Sequence, residues 1–151
     1  MSSTYIQATY QVVFATKYRE PTLLRPGRPK LLGCIAEFLR NKRCIVHAIG
    51  GVEDHLHLVF GLHPSLSIAD LVKDVKLTSS KVIKTRLQLD FPTFGGWQRG
   101  YGAFTYPVTA IPNLKRYVQN QEQHHQSESS DEELRRYLAY HDIPFDERYF
   151  A

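Results

Sequence analysis

The sequence predicts an α+β fold: a ferredoxin-like split β-α-β antiparallel sheet with additional C-terminal helices. Three observations carry this. Segments rich in β-branched and aromatic residues alternate with amphipathic ones in the order strand, helix, strand, strand, helix, strand. The second and third strands are close enough in sequence to form a hairpin. Further helical segments follow the last strand. With 151 residues and neither internal repeat nor disordered linker, one domain over residues 1–151 is expected.

Residues 5–15, YIQATYQVVFA, read as the first strand. The next stretch, TKYREPTLLRPGRP, is a loop, punctuated by Pro21, Pro26, Gly27 and Pro29. A helix follows from about Pro29 or Lys30 to Asn41, its stripe made by Leu31, Leu32, Ile35, Phe38 and Leu39. RCIVHAIG is the second strand, Gly50 and Gly51 with Glu53 and Asp54 make a turn, and DHLHLVF carries the third strand to Phe60. Ser67 reads as the N-cap of the second helix, with Asp70 three residues on. Ile68, Leu71, Val72, Val75, Ser79 and Val82 form its buried stripe, while Lys73, Lys76, Ser80 and Lys84 form a basic ridge on another face. A short strand near 102–106 comes after a glycine- and aromatic-rich loop. Trp97 in that loop either closes the core edge or stacks on a nucleic-acid base. A helix then starts near Pro112 and extends to about His124. A last short helix is capped near Ser129 or Ser130 and leads into an extended acidic end.

Charge is unevenly spread. Lys17 to Arg43 holds eight Lys/Arg against Glu20 and Glu37, whereas from Gln126 onward there are seven Asp/Glu against three Arg. Such a surface either attracts a polyanion through salt-dependent backbone contacts or only keeps the chain soluble. No apolar run approaches the roughly 18–20 residues of a membrane span, and the N-terminus lacks a signal-peptide pattern. A cytoplasmic protein without a membrane partner is therefore expected. Cys34 and Cys44 have no C-x-x-C spacing and read as buried thiols.

The chemistry-bearing stretch is DHLHLVF. Alternation along a strand points His55 and His57 to one face, and Leu56, Leu58 and Phe60 to the other. Two imidazoles on one face make either a metal site short of a ligand or the solvated face of an edge strand. In LKRYVQNQEQHH, Tyr117 and Gln121 are four apart and share a helix face. The phenol is a candidate nucleophile and the amide oxygen a candidate third ligand; the alternative is a packed tyrosine and a solvated glutamine. Glu53 and Asp54 either orient a histidine or simply belong to the turn.

Taken together, VVFATKYREPTL, GGVEDHLHLVFGLHPSLSIADLVKDVKLTSSK, WQRGYGAFTYP, YVQNQEQHH and FDERYF make the chain resemble the single-tyrosine HUH transposases of small bacterial insertion sequences, the IS200-like family. The resemblance implies that His55, His57 and Gln121 hold a divalent metal, magnesium or manganese, and that Tyr117 is the nucleophile, on a catalytic-tyrosine helix spanning 109–126. It implies cleavage and rejoining of single-stranded DNA through a 5′-phosphotyrosine, with recognition of hairpins at mobile-element ends. It further implies a homodimer with composite active sites, in which Tyr117 of one chain can serve His55 and His57 of the other; the sequence leaves this trans arrangement and a cis one open. His124 and His125, one turn past Gln121, are expected to contact phosphate or to lie at an exposed helix end, and neither is expected as a ligand. The acidic C-terminal extension, 127–151, departs from the family pattern at HHQSESSDEEL, where relatives are more basic or apolar. The sequence identifies no unique proton acceptor for Tyr117. Two other functions stay open: a domesticated hairpin-binding regulatory protein, and a phosphodiester hydrolase using the metal pair without the tyrosine.

Overall fold

Regular pairing begins at Thr9 rather than residue 5: β1 spans Thr9–Ala15 in the computed structural model, which describes residues 3–146. Tyr5 and Ile6, outside the sheet, are exposed. β2 (Ile45–Gly51), β3 (His55–Gly61) and β4 (Gly102–Tyr106) complete a four-stranded sheet of order β2-β3-β1-β4 in which every neighbouring pair is antiparallel. This is the split β-α-β arrangement that the element order predicts. β3 is therefore an interior strand, and His55 to Phe60 are all buried. An edge strand with a solvated histidine face does not describe it.

Alternation sends Val12, Phe14, Leu56, Leu58 and Phe60 to one face of the sheet. There they meet α1 (Arg28–Asn41), which buries Leu31, Ile35 and Leu39, and α2 (Ile68–Arg86), which buries Leu71, Val72, Val75, Val82 and Ile83. Ser67 caps α2 as expected, its hydroxyl accepting from the Asp70 amide at 3.1 Å. The opposite face is also covered. α3 (Ile111–Gln119) sets Leu114 and Val118 on Ala48 and Val59, and α5 (Ser130–Tyr140) sets Tyr137 on Val13 and Phe104. Burial on both faces explains why β1 and β3 are nearly continuous apolar runs.

Three local readings change. Gly50 and Gly51 belong to β2 rather than to the turn, Gly50 standing opposite His57 in the register. A β-carbon at Gly50 would clash with the Val118 carbonyl oxygen, so glycine here lets α3 lie directly on the strand. The helix expected from Pro112 to His124 is interrupted at Asn120, leaving α3 and a single turn, α4 (Gln121–His124). The basic ridge of α2 is incomplete: Lys76 donates to the carbonyls of Gln98 (2.9 Å) and Gly100 (2.6 Å), fastening the 98–101 loop. Lys73 and Lys84 remain exposed.

Trp97 closes the core edge. It packs edge-on against Phe14 and Phe94 and donates Nε1–H to Ser79 Oγ at 3.0 Å. Cys34 and Cys44 are free thiols, the latter buried. Among the described residues no helix is long and apolar enough to cross a membrane. Residues 147–150 of FDERYF, and thus the end of the 127–151 extension, lie outside the described residues.

Candidate active site

The two histidines owe their shared direction to β3 and their enclosure to the helices on that face. His55 is 2% and His57 0% exposed. Each ring is held at Nδ1: His55 by Asp54 Oδ1 at 2.7 Å, His57 by Gln11 Oε1 at 2.8 Å. Gln11 uses its amide nitrogen on the Tyr106 hydroxyl at 3.0 Å, which leaves its oxygen to accept from His57 Nδ1–H. An imidazole protonated at Nδ1 keeps a lone pair at Nε2, the form that binds metals.

Both Nε2 atoms point at one carboxylate. Glu133 Oε1, on the first turn of α5, lies 3.1 Å from His55 Nε2 and 2.7 Å from His57 Nε2. Its Oε2 is 3.0 Å from His125 Nε2, accepts from the Tyr117 hydroxyl and faces Gln121 Nε2 at 3.4 Å. Glu133 is itself 1% exposed. The structure thus brings together His55, His57, Tyr117 and Gln121, the four residues singled out in the sequence, and gathers them around a fifth that was not.

Of the histidine pair at the end of α4, His125 enters the cluster. His124 stays outside, stacked edge-on against the Tyr117 ring and 3.0 Å from Glu128. Arg136, one turn along α5 from Glu133, donates Nη2–H to the Tyr117 hydroxyl at 2.7 Å and pairs with Glu128 at 3.0 Å. Asp54 does orient His55, and its second oxygen accepts from Ser130 at 3.0 Å, tying the β2–β3 turn to α5. Glu53 is exposed.

Electrostatics follow the burial. Desolvation, the Glu133 carboxylate and neighbouring Tyr137 all oppose a phenolate at Tyr117 and hold its pKa well above the ordinary tyrosine value. Burial works against an imidazolium at His55, yet the Asp54 and Glu133 carboxylates outweigh it and push the pKa up to about 9. At fully buried His57 desolvation wins and the ring is neutral. Burial would raise Glu133, but His125, His55 and His57 around its oxygens lower it and keep it ionised.

The donor set suits a metal ion. One donor atom each from His55, His57, His125 and Glu133 lies within 4.8 Å of the others. Gln121 adds an oxygen: its Oε1 is buried, and no donor among the described residues reaches it. A buried amide oxygen without a donor, on a residue whose amide nitrogen faces Glu133, leaves an acceptor that a cation would satisfy. Against the His55 side of the cluster lies a cavity of about 260 Å³, lined by Arg19, Arg99, Tyr101, Ser130 and Leu134 among others.

The chain's charge asymmetry is partly internal. Arg19 of the basic front half pairs with Asp131 of α5, and buried Arg28 pairs with Glu122 at 3.1 Å.

Comparisons with known proteins place the chain in a family and a fold. The family described as "Transposase IS200 like" matches residues 4–121. The ISDra2 transposase TnpA of Deinococcus radiodurans is 24% identical over 118 residues, covering 76% of this chain and 84% of its own. The crystal structure of a candidate transposase from Deinococcus radiodurans superposes with a TM-score of 0.60 at 25% identity, covering 80% of this chain and 96% of the other. A REP-associated tyrosine transposase bound to a REP hairpin shares the fold, with a TM-score of 0.57 at 14% identity, covering 80% and 70% of the two chains.

Proposed function

The chain belongs to the IS200-like transposase family, and from that premise we propose that it is a metal-dependent DNA transposase cleaving and rejoining single-stranded DNA at hairpin-bearing ends of a mobile element. The observation that carries the reading is that the Tyr117 hydroxyl and the Nε2 atoms of His55 and His57 all meet on a single carboxylate, so nucleophile and metal donors are a few ångströms apart. Magnesium or manganese held at His55, His57 and Gln121 supplies polarisation of the scissile phosphate.

Tyr117 is the nucleophile. Its Oη–P bond forms as the P–O3′ bond breaks, leaving a 5′-phosphotyrosine and a free 3′-hydroxyl; in the net balance the phenolic proton ends on that hydroxyl. Rejoining reverses the exchange with another 3′-hydroxyl. One phosphoester replaces another, so no nucleotide cofactor is needed.

Hairpin recognition is supported by the shared fold with a hairpin-bound relative. It is also supported by the exposed Arg99 and Tyr101 at the rim of the site. Within one chain the Tyr117 and His57 ring centroids are 5.9 Å apart, which supports a tyrosine serving its own histidines. In the homodimer that the family resemblance implies, exchange of α3 would present the same tyrosine to the histidines of the other chain.

The second reading, a domesticated hairpin-binding regulator, is favoured by one observation: the ionised Glu133 already satisfies the tyrosine and the histidines. One experiment separates the two. Wild type and Tyr117→Phe are incubated with manganese and labelled single-stranded DNA carrying the element-end hairpin and its flank, then denatured. A protein–DNA adduct in wild type alone establishes transposase chemistry. Hairpin binding without adduct in either establishes the regulator.

A further inference from the structure

Four donors of the cluster converge: one atom each from His55, His57, His125 and Glu133 lies within 4.8 Å of the others. Glu133 Oε1 is 3.1 Å from His55 Nε2 and 2.7 Å from His57 Nε2, and its Oε2 is 3.0 Å from His125 Nε2, so one buried carboxylate sits among three imidazoles. Asp54 and Gln11 hold the other ring nitrogens of His55 and His57, which keeps both Nε2 atoms aimed at that point. Buried Gln121 Oε1 has no donor among the described residues.

We propose that Glu133 and His125 are ligands of the divalent metal together with His55 and His57, so that the metal centre is closed by the C-terminal helix α5. The proposal rests on the metal-dependent reading above and extends its ligand set. The family match ends at residue 121, whereas His125 and Glu133 lie beyond it. Two further connections of α5 to the site are already built: Ser130 to Asp54, and Arg136 to Tyr117. They hold the helix so that its carboxylate faces the three imidazoles.

Two consequences follow from the donor chemistry. Three imidazoles and one carboxylate suit manganese, cobalt or zinc far better than magnesium, which prefers oxygen donors and retained water. The carboxylate also reaches two ways, Oε1 toward the His55–His57 pair and Oε2 toward the Tyr117 hydroxyl. Metal occupancy therefore fixes α5, and with it the position of the nucleophile.

The test uses the full chain, stripped of metal and titrated with Mn²⁺, free ion being read by electron paramagnetic resonance. Variants are Glu133→Gln, Glu133→Asp, His125→Ala, His57→Ala and, as a control on the exposed face of α5, Glu132→Gln. Glu133→Gln and His125→Ala should each weaken manganese binding by about tenfold or more. Glu133→Asp should fall between, Glu132→Gln should match wild type, and equimolar magnesium should not displace manganese. A manganese anomalous peak in crystals should lie within about 2.2 Å of a Glu133 oxygen. The proposal is overturned if Glu133→Gln binds manganese as wild type does while His57→Ala does not, an outcome that leaves the metal-dependent reading standing. Wild-type protein that binds no manganese overturns both. Displacement by equimolar magnesium overturns the nitrogen-rich ligand set.

Discussion

Gly50 of β2 and Val118 of α3 are in backbone contact: the space a β-carbon would take at Gly50 is occupied by the Val118 carbonyl oxygen. Because Tyr117 precedes Val118 and Gln121 follows one turn later, this contact sets the height of both above the sheet. Gly50→Ala, at a residue that touches no reacting group, should destabilise the fold by about 1–3 kcal/mol. It should also reduce adduct formation in protein that is still folded. Urea denaturation with the adduct assay on the same sample checks both effects, and an unchanged adduct yield would remove Gly50 from the positioning of the tyrosine.

Gln11 fixes the His57 ring from the side away from the cluster. Gln11→Leu leaves His57 Nδ1 without its acceptor in a fully buried position, costing about 1–3 kcal/mol of stability. It should lower manganese affinity by roughly 10–100-fold, since the ring loses both orientation and tautomer. Calorimetric titration reads the affinity, and thermal unfolding of the metal-free protein separates it from stability.

Complementation tells whether the tyrosine works within its own chain. Tyr117→Phe and His57→Ala are each expected to give no adduct. If Tyr117 serves its own histidines, co-folded mixtures of the two remain silent. Adduct formation in the mixture would show exchange of α3 between protomers.

Lys73 and Arg99 line one groove of about 460 Å³ together with Tyr101 and Trp97. If single-stranded DNA follows this groove, replacing both charges by alanine should weaken binding most at low salt and reduce the slope of log affinity against log salt by about 0.7 per charge. Fluorescence anisotropy over a salt series measures the slope. An unchanged slope would place the strand elsewhere.

His55 makes the metal-free chain sensitive to alkali. Its folded pKa of about 9 stands above the ordinary value of 6.5, so its contribution is fully present below pH 6.5 and is lost as pH rises through 9. His57, held neutral in the fold, is half protonated in the unfolded chain at pH 6.5 and unprotonated well above it, so it offsets only a small part of the loss, at the low end of the window. Denaturant midpoints at pH 6.5 and 9 should therefore fall for wild type in chelator and change less for His55→Gln.

Much of the site was legible because it rests on short-range geometry. Alternation alone aligns His55 with His57, and a four-residue spacing aligns Tyr117 with Gln121 even though Asn120 breaks the helix between them. The element order likewise implied the sheet order, since a split β-α-β unit has few ways to close. Glu133 was not legible. It lies in SSDEEL, where Asp131, Glu132 and Glu133 read alike as acids at a helix N-terminus. A signal did exist: Glu133 falls on the same helical face as Tyr137, a carboxylate placed in an otherwise apolar stripe. Which surface that stripe meets is a tertiary fact. Lys76 shows the same limit, because periodicity placed it on an exposed face while the 98–101 loop, twenty-odd residues later, folds back over it.

The packing of Trp97 gives the chain a built-in optical reporter. It is the only tryptophan, it bridges to Thr16, and Thr16 in turn donates its backbone N–H to the carbonyl of Asp54 beside His55 at 2.9 Å. The next four residues are the loop that lines the cavity. Emission from this one indole thus follows the movement of the loop and the first strand together, so a stopped-flow instrument can time the arrival of a DNA strand with no dye attached.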